Sequence, residues 1–320
     1  MNRISLGNEE FEGRNNAYLF TDEETVGLVD SGVATTAARD QLEQGLETHG
    51  YAFNDIDDLV VTHWHSDHAG LAGAIQDAGG ARVHTHRADA DLVSHDENTQ
   101  ESFTQLRRSC FDAWGIPEPD LTELITFFDT TDEIRGSSVA VTPFESGDRL
   151  TVGGQSMRVI HTPGHTDGLC CLDLLDGTLL SSDAVLPQYT PNIGGADPRV
   201  EAPLQTYLES LQTLLDKDFD RLHPGHRESI AEPADRIQEI ISHHHDRARR
   251  VLEVLDATGP ATPWTVSAEL FGDLSGIHIM HGPGEAFAHL DHLWRAGVID
   301  RTDGLYQPPE TPVDVDELLL

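Results

Sequence analysis

An α/β layered domain with a small α+β module behind it is the fold class that this 320-residue sequence predicts. Two observations carry that expectation. Strand-like runs alternate with helix-like runs through the first 230 residues, which is the pattern of helices layered on a sheet. From Pro260 the texture changes to two helical stretches and one tight hairpin. The length suits one large domain and one smaller one.

In chain order, "NAYLFTD" and "TVGLVDSG" read as a hairpin of alternating apolar residues. "TAARDQLEQGLETHG" is a helix closed by Gly50, "DIDDLVVTHWH" a strand running into a loop, "AGLAGAIQDAGG" a small-residue helix ended by Gly79-Gly80, and "ARVHTHR" another strand. Residues 87–136 interrupt the rhythm with a mostly helical insert, and inserts of that length tend to shape a pocket or a lid. Residues 139–187 then supply short strands joined by the turns "SGD", "VGGQ" and "LDGT". After a helical stretch at 204–215, the strand "FDRLHPGH" ends in a histidine loop and a long helix follows through residue 259. Beyond it "WTVSAELFG" is a short helix, and "GEAFAHLDHLWRAGVI" sets Phe287, Leu290, Leu293 and Trp294 at helical core spacing. "VIDRTDGLYQP" closes as a two-stranded wing about an Asp-Gly turn. The expected division is an α/β domain at 1–235 with the insert at 87–136, a connecting helix at 236–259, a winged-helix-like module at 260–310 and an acidic tail at 311–320.

Composition bounds the function. Fifty-six Asp and Glu against 20 Lys and Arg give a formal net charge of −36, and Lys217 is the single lysine. That balance keeps a folded chain soluble in concentrated salt and resembles haloarchaeal proteins; it argues against a broad nucleic-acid surface. Disorder is excluded by a hydrophobic fraction of 38% arranged with clear periodicity. Cys110, Cys170 and Cys171 make neither a disulfide framework nor a CxxC motif. With no apolar leader in "MNRISLGNEEFEG" and no apolar run long enough for a bilayer, the expected location is the cytoplasm.

The stretch "VVTHWHSDHAG" carries the chemistry. His63 and His65 lie two apart in an extended loop and so face the same way, free to share one ion, while Asp67 and His68 turn towards a second. Imidazole and carboxylate donors suit zinc or another borderline divalent ion. One loop cannot complete either shell, and three later strand ends offer the remainder: His165 in "HTPGHTDG", Asp183 in "LLSSDAVL" and His226 in "LHPGHR". Other histidines weigh less. His84 and His86 form an HxH pair with no acidic partner in sequence, and His243, His244 and His245 read as a solvated helix face. His278 and His281 would border the pocket if the C-terminal module packs over it, and Tyr189 is a candidate for polarising a substrate carbonyl.

At this point the chain resembles the metallo-β-lactamase-fold hydrolases. Five motifs occur in the family's order over roughly residues 15–235: "LVDSG" with Asp30, "THWHSDH", "HTPGHT", "SSDAV" and "PGH". The resemblance, closest to the glyoxalase II-like and β-lactamase-like subfamilies, implies a four-layer αββα sandwich with two metal ions at one edge. It implies that His63, His65 and His165 hold one ion, that Asp67, His68 and His226 hold the other, and that Asp183 bridges them. Asp30 would stand behind the ligands and fix the loop. Zinc is the default ion, with iron or manganese fitting the same donors.

The expected activity is that of a dinuclear-metal hydrolase, in which a bridging hydroxide attacks a thioester, carboxylic ester or lactone of a small acyl substrate and Asp67 orients the water. A metal-dependent endoribonuclease is the first alternative, although "GEAFAHLDHLWRAG" carries one arginine and no β-CASP insertion is recognisable. A non-hydrolytic metal-binding scaffold is the second. The winged-helix-like module is expected to pack beside the active site or at a homodimer interface.

Overall fold

The structure, a computed structural model, describes residues 1–7 and 13–309. The first sheet contains β1 (Asn2–Leu6), β2 (Asn15–Thr21), β3 (Val26–Val29), β4 (Asp58–Val60), β5 (Arg82–His86) and β6 (Val141–Phe144), side by side in sequence order. Its first three strands are antiparallel and β3 to β6 are parallel. The second sheet runs in the order β11 (Arg221–Pro224), β10 (Thr178–Ser182), β9 (Cys170–Asp173), β8 (Gln155–His161) and β7 (Arg149–Val152). Only its β10–β11 pair is parallel. Strand β1 went unread in the sequence, where "NRISL" is short and half polar; it pairs with β2 from Asn2–Leu19 to Leu6–Asn15.

Parallel neighbours require crossovers. Helix α1 (Thr36–Glu47) joins β3 to β4; the single turn α2 (Ser66–Ala69) and α3 (Ala72–Gly79) join β4 to β5. The insert folds as α4 (Ala90–Val93), α5 (Glu97–Trp114) and α6 (Glu118–Thr131), and α7 (Pro203–Leu215) carries the chain from β10 to β11. The C-terminal part consists of α8 (Pro233–Thr258), α9 (Pro263–Phe271), α10 (His278–Arg295) and a hairpin of β12 (Arg301–Thr302) and β13 (Leu305–Tyr306) about Asp303-Gly304. The acidic tail expected at 311–320 lies outside the described residues.

Strand alternation sorts the side chains into three apolar seams between four layers. Ala17, Leu19 and Leu28 face Leu42 and Leu46 of α1 and Ile75 of α3. Their neighbours Tyr18, Phe20 and Val29 point the other way, onto Met157, Val159 and Leu172 of the second sheet. On that sheet's far side Ile160, Cys171 and Leu179 meet Leu204, Tyr207 and Leu211 of α7 and Ile237 and Ile241 of α8. Cys170 and Cys171 fall in different seams, as adjacent strand residues must. The four-layer αββα arrangement is therefore built from period-two strands under amphipathic helices.

A fourth cluster, with Val251, Leu255, Val266, Leu290 and Tyr306, holds α8, α9, α10 and the hairpin together. A fifth ties the insert to that part of the chain: Phe111, Trp114 and Leu124 pack on Ile279 and Met280 of α10. No helix among the described residues is long and apolar enough to cross a membrane.

Candidate metal centre

Strands β4, β8, β10 and β11 hand the chain to loops at one edge of the sandwich, and those loops carry the predicted residues. His63 and His65 follow β4, and Asp67 and His68 lie in the single turn α2. His165 follows β8, Asp183 follows the register shift that ends β10, and His226 follows β11. Ser182, just before Asp183, is left-handed at φ +45°, and Gly225 precedes His226 because a Cβ there would stand 2.3 Å from Asp183 Oδ1 and 2.6 Å from His68 Cε1.

All seven side chains converge. His63 Nε2 lies 3.1 Å from His65 Nδ1, which lies 3.0 Å from His165 Nε2. Beside this triad, His226 Nε2 and His68 Nε2 stand 3.4 and 3.8 Å from Asp67 Oδ2. Asp183 sits between the two groups, with His165 Nε2 at 3.7 Å, His226 Nε2 at 3.3 Å and His68 Nε2 at 3.5 Å from its oxygens. His63, His65 and His165 are close enough to share one ion, as are Asp67, His68 and His226.

The outer ring nitrogens fix the tautomers. His165 Nδ1 donates to the Asn192 carbonyl at 2.9 Å and His65 Nε2 to the Ala196 carbonyl at 3.3 Å, which leaves the inward nitrogens as acceptors. Asp30 does the same for His68: Oδ2 accepts from Nδ1 at 2.9 Å. Asp30 also accepts from the Thr62 amide and hydroxyl at 2.8 and 2.9 Å, pinning the start of the histidine loop. Asn15 Nδ2 donates to Asp67 Oδ2 at 3.1 Å.

The donors fit a divalent cation on an observation independent of motif. Nε2 of His68, Nε2 of His226 and Oδ1 of Asp183 are buried with no hydrogen-bond partner among the described residues, although buried polar atoms are normally paired. Burial first, then neighbouring imidazoles, holds His63 well below the usual histidine range and His65 down to about 3, so both are neutral and ligand-ready. His226 is also pulled down by burial, but Asp183 and Asp67 outweigh that and push it up to about 10. The carboxylates thus call for positive charge at this spot.

The centre opens into a cavity of about 860 Å³. His65, Asp67, His165 and Asp183 line one part of it, the insert supplies Phe103, Arg107 and Phe128, and α10 supplies His278 and His281. Tyr189 is half exposed on the same wall, with the Arg227 guanidinium 4.8 Å above its ring. The secondary histidines fare differently from their sequence reading. His84 does have an acidic partner, Asp58 Oδ1 at 2.8 Å, while His86 stacks on His161 at 4.0 Å, and neither belongs to a metal-holding group among the described residues. His244 is buried, not solvated, and lies with Glu285 and His289 of α10. The signal was present: Ile237, Ile241, His244, Ala248, Val251 and Leu255 form the inward stripe of α8.

Sequence reasoning also missed the supports around the loop at 191–199. Arg199 bonds Asp89 Oδ1 at 2.6 Å and Asp197 Oδ2 at 2.5 Å; these carboxylates in turn accept from the Trp64 amide and the Trp64 indole. Glu285 Oε2 accepts the Ile193 amide at 3.2 Å, and Asn192 Nδ2 reaches the His281 carbonyl at 3.0 Å. Helix α10 therefore holds the loop whose carbonyls orient His65 and His165.

Two stacked sheets flanked by helices, with a histidine and aspartate cluster at one edge, define the class. The family model of the metallo-beta-lactamase superfamily matches residues 11–226, and the chain belongs to that superfamily. Among solved structures, a metallo-beta-lactamase family protein from Thermus thermophilus is 30% identical with a TM-score of 0.83, covering 96% of this chain and 98% of that one. The beta-lactamase-like protein 2 homolog of Drosophila melanogaster is 28% identical over 198 residues, 62% of this chain. The match covers 54% of the fly protein, so the chain spans about half the length of that relative. The atrochrysone carboxyl ACP thioesterase of Aspergillus fumigatus is 25% identical over 280 residues, 84% of this chain and 71% of its own length.

Proposed function

We propose that the chain is a dinuclear-metal hydrolase of acyl thioesters or related esters. The observation that carries this reading is the convergence of two donor triads on Asp183, with orphaned inward atoms on His68, His226 and Asp183 itself. His63, His65 and His165 would hold one ion, Asp67, His68 and His226 the other, and Asp183 would face both. Divalent ions bound there, zinc by default with iron or manganese fitting the same donors, would acidify water to near neutrality and stabilise an oxyanion.

The chain's own groups do the positioning. Asp67 would accept a hydrogen bond from the attacking water and hold it towards the acyl carbon; Asn15 Nδ2 fixes that carboxylate through Oδ2. Water adds to the carbonyl, the carbon–sulfur bond breaks, the sulfur leaves with the electron pair and takes a proton, and a carboxylic acid remains. The thioesterase named among the relatives supports this substrate class. We read α8 to α10 and their hairpin as a winged-helix-like packing element, supported by the element order and by the contacts of Asn192 and Ile193 with α10.

Purified protein assayed against an acyl-CoA, S-lactoylglutathione, a homoserine lactone, nitrocefin and labelled RNA, with elemental analysis alongside, tests the proposal. Thioester turnover at two ions per chain is expected. RNA cleavage without ester or thioester turnover would replace it with the nuclease.

A further inference from the structure

Of the chain's 19 arginines, Arg107, Arg108, Arg135 and Arg227 line the cavity that reaches the candidate metal centre. Apart from Asp67 and Asp183, Asp129 is the sole carboxylate lining it among the described residues. Neither Arg107 nor Arg108 forms an ion pair among the described residues, and Nε of Arg107 is buried without an acceptor. The Arg107 guanidinium is held between the rings of Phe103 at 5.1 Å and Phe128 at 4.4 Å. Burial first, then Arg135 and Arg108, pulls its pKa down to about 10, and no carboxylate opposes that pull. Ring contacts offset part of the cost of a desolvated cation, and an arriving anion would supply the rest. The group also lies near the chemistry: Phe103 meets Trp64 edge-on at 5.1 Å, and Trp64 meets His65 at 4.6 Å.

We propose that Arg107, with Arg108 and Arg135 beside it, forms a subsite for a multiply charged anionic group on the non-reacting arm of the substrate. The inference rests on the hydrolase reading and deepens it: the thioester cleaved carries phosphates or clustered carboxylates, with an apolar stretch lying along Phe103, Phe128 and Trp64. Guanidinium forks match both anions, so the chemistry is shared and the substrate source is open to test.

The test compares three thioesters of one acyl group: a CoA ester with phosphates, a glutathione ester with carboxylates, and a neutral N-acetylcysteamine ester. The wild-type holoenzyme is expected to favour an anionic ester over the neutral one by about thirtyfold or more in kcat/KM, mostly through KM. Arg107→Gln should shrink that ratio by about tenfold, and Arg107→Lys should restore part of it. Whichever anionic ester leads identifies phosphate or carboxylate as the ligand. Equal kcat/KM for all three esters in the wild type, or an unchanged ratio in Arg107→Gln, overturns the subsite. Calorimetric titration with inorganic pyrophosphate at matched metal content separates the two readings. Binding about tenfold weaker in Arg107→Gln, with no thioester turned over, would retain the subsite and reject the thioesterase; equal binding would reject the subsite.

Discussion

Asp30 shows how one residue sets a site it does not enter. It is left-handed at φ +59°, a conformation aspartate tolerates better than most side chains, and its carboxylate takes three donors: the Thr62 amide, the Thr62 hydroxyl and His68 Nδ1. That last bond holds the His68 ring so that Nε2 faces Asp183. Asp183 differs in kind, because its oxygens face His68, His165 and His226 directly. The two substitutions should therefore give graded losses. Asp183→Ala is expected to leave fewer than one tightly held ion per chain and no turnover. On the proposed two-ion site, Asp30→Ala should retain both ions at saturating metal but weaken their affinity about 10- to 100-fold. Competition with a chromophoric chelator measures both, and wild-type affinity in Asp183→Ala would remove the bridging assignment.

At the scale of elements, what the sequence disclosed depends on whether a side chain or the backbone supplies the function. The convergence of His63, His65, Asp67, His68, His165, Asp183 and His226 was legible because metal-donor side chains recur at strand ends. The loop at 191–199 was not, because it contributes the carbonyls of Asn192 and Ala196, which any residue could present. Asp89, Asp197 and Arg199 escaped notice for another reason: Asp89 lies 110 residues from Arg199, and single charged residues in an acidic chain carry no pattern. His244 departs from the solvated face expected of it because it falls on the apolar stripe of α8, which its two neighbouring histidines flank. The Arg199 cluster has a measurable consequence. Removing the guanidinium leaves two buried carboxylates facing each other, and Asp89 is already pushed up to about 6 by burial and then by Asp197, despite Arg199. Arg199→Ala should cost about 3–5 kcal/mol in stability, the usual loss when one partner of a buried pair is deleted. Urea denaturation reads it, and a loss under about 1 kcal/mol would show that the carboxylates have another counter-charge.

At the scale of the whole molecule, a buried acid, Glu285, adds a titratable link between the C-terminal helices and the sandwich, and one large net charge stresses the whole. Burial pushes Glu285 from 4.5 up to about 7, against Arg247 and the Ile193 amide, which lower it. Its folded pKa lies above its unfolded one, so its contribution to stability is whole below about 4.5 and is lost as pH rises through 7. Glu285→Gln keeps an acceptor for the Ile193 amide without titrating, so its stability relative to wild type should rise by ~3 kcal/mol between pH 4.5 and 8 at 1.36 kcal/mol per unit. A difference that stays flat across that range would mean Glu285 is ionised throughout. The net charge acts over the full surface. At −36 with one lysine, acidic groups repel across distances that a Debye length of about 10 Å at 0.1 M salt leaves partly unscreened, whereas about 3 Å at 1 M screens nearly all of it. Screening lowers the energy of the compact state more than that of the expanded chain, where like charges already stand farther apart. Melting temperature should accordingly climb from 0.1 to 2 M KCl, steeply at first and then levelling as the Debye length falls below the spacing of surface carboxylates. Sodium and potassium chloride should act alike if screening is the cause; a melting temperature that ignores salt would show that repulsion among the surface carboxylates does not limit stability.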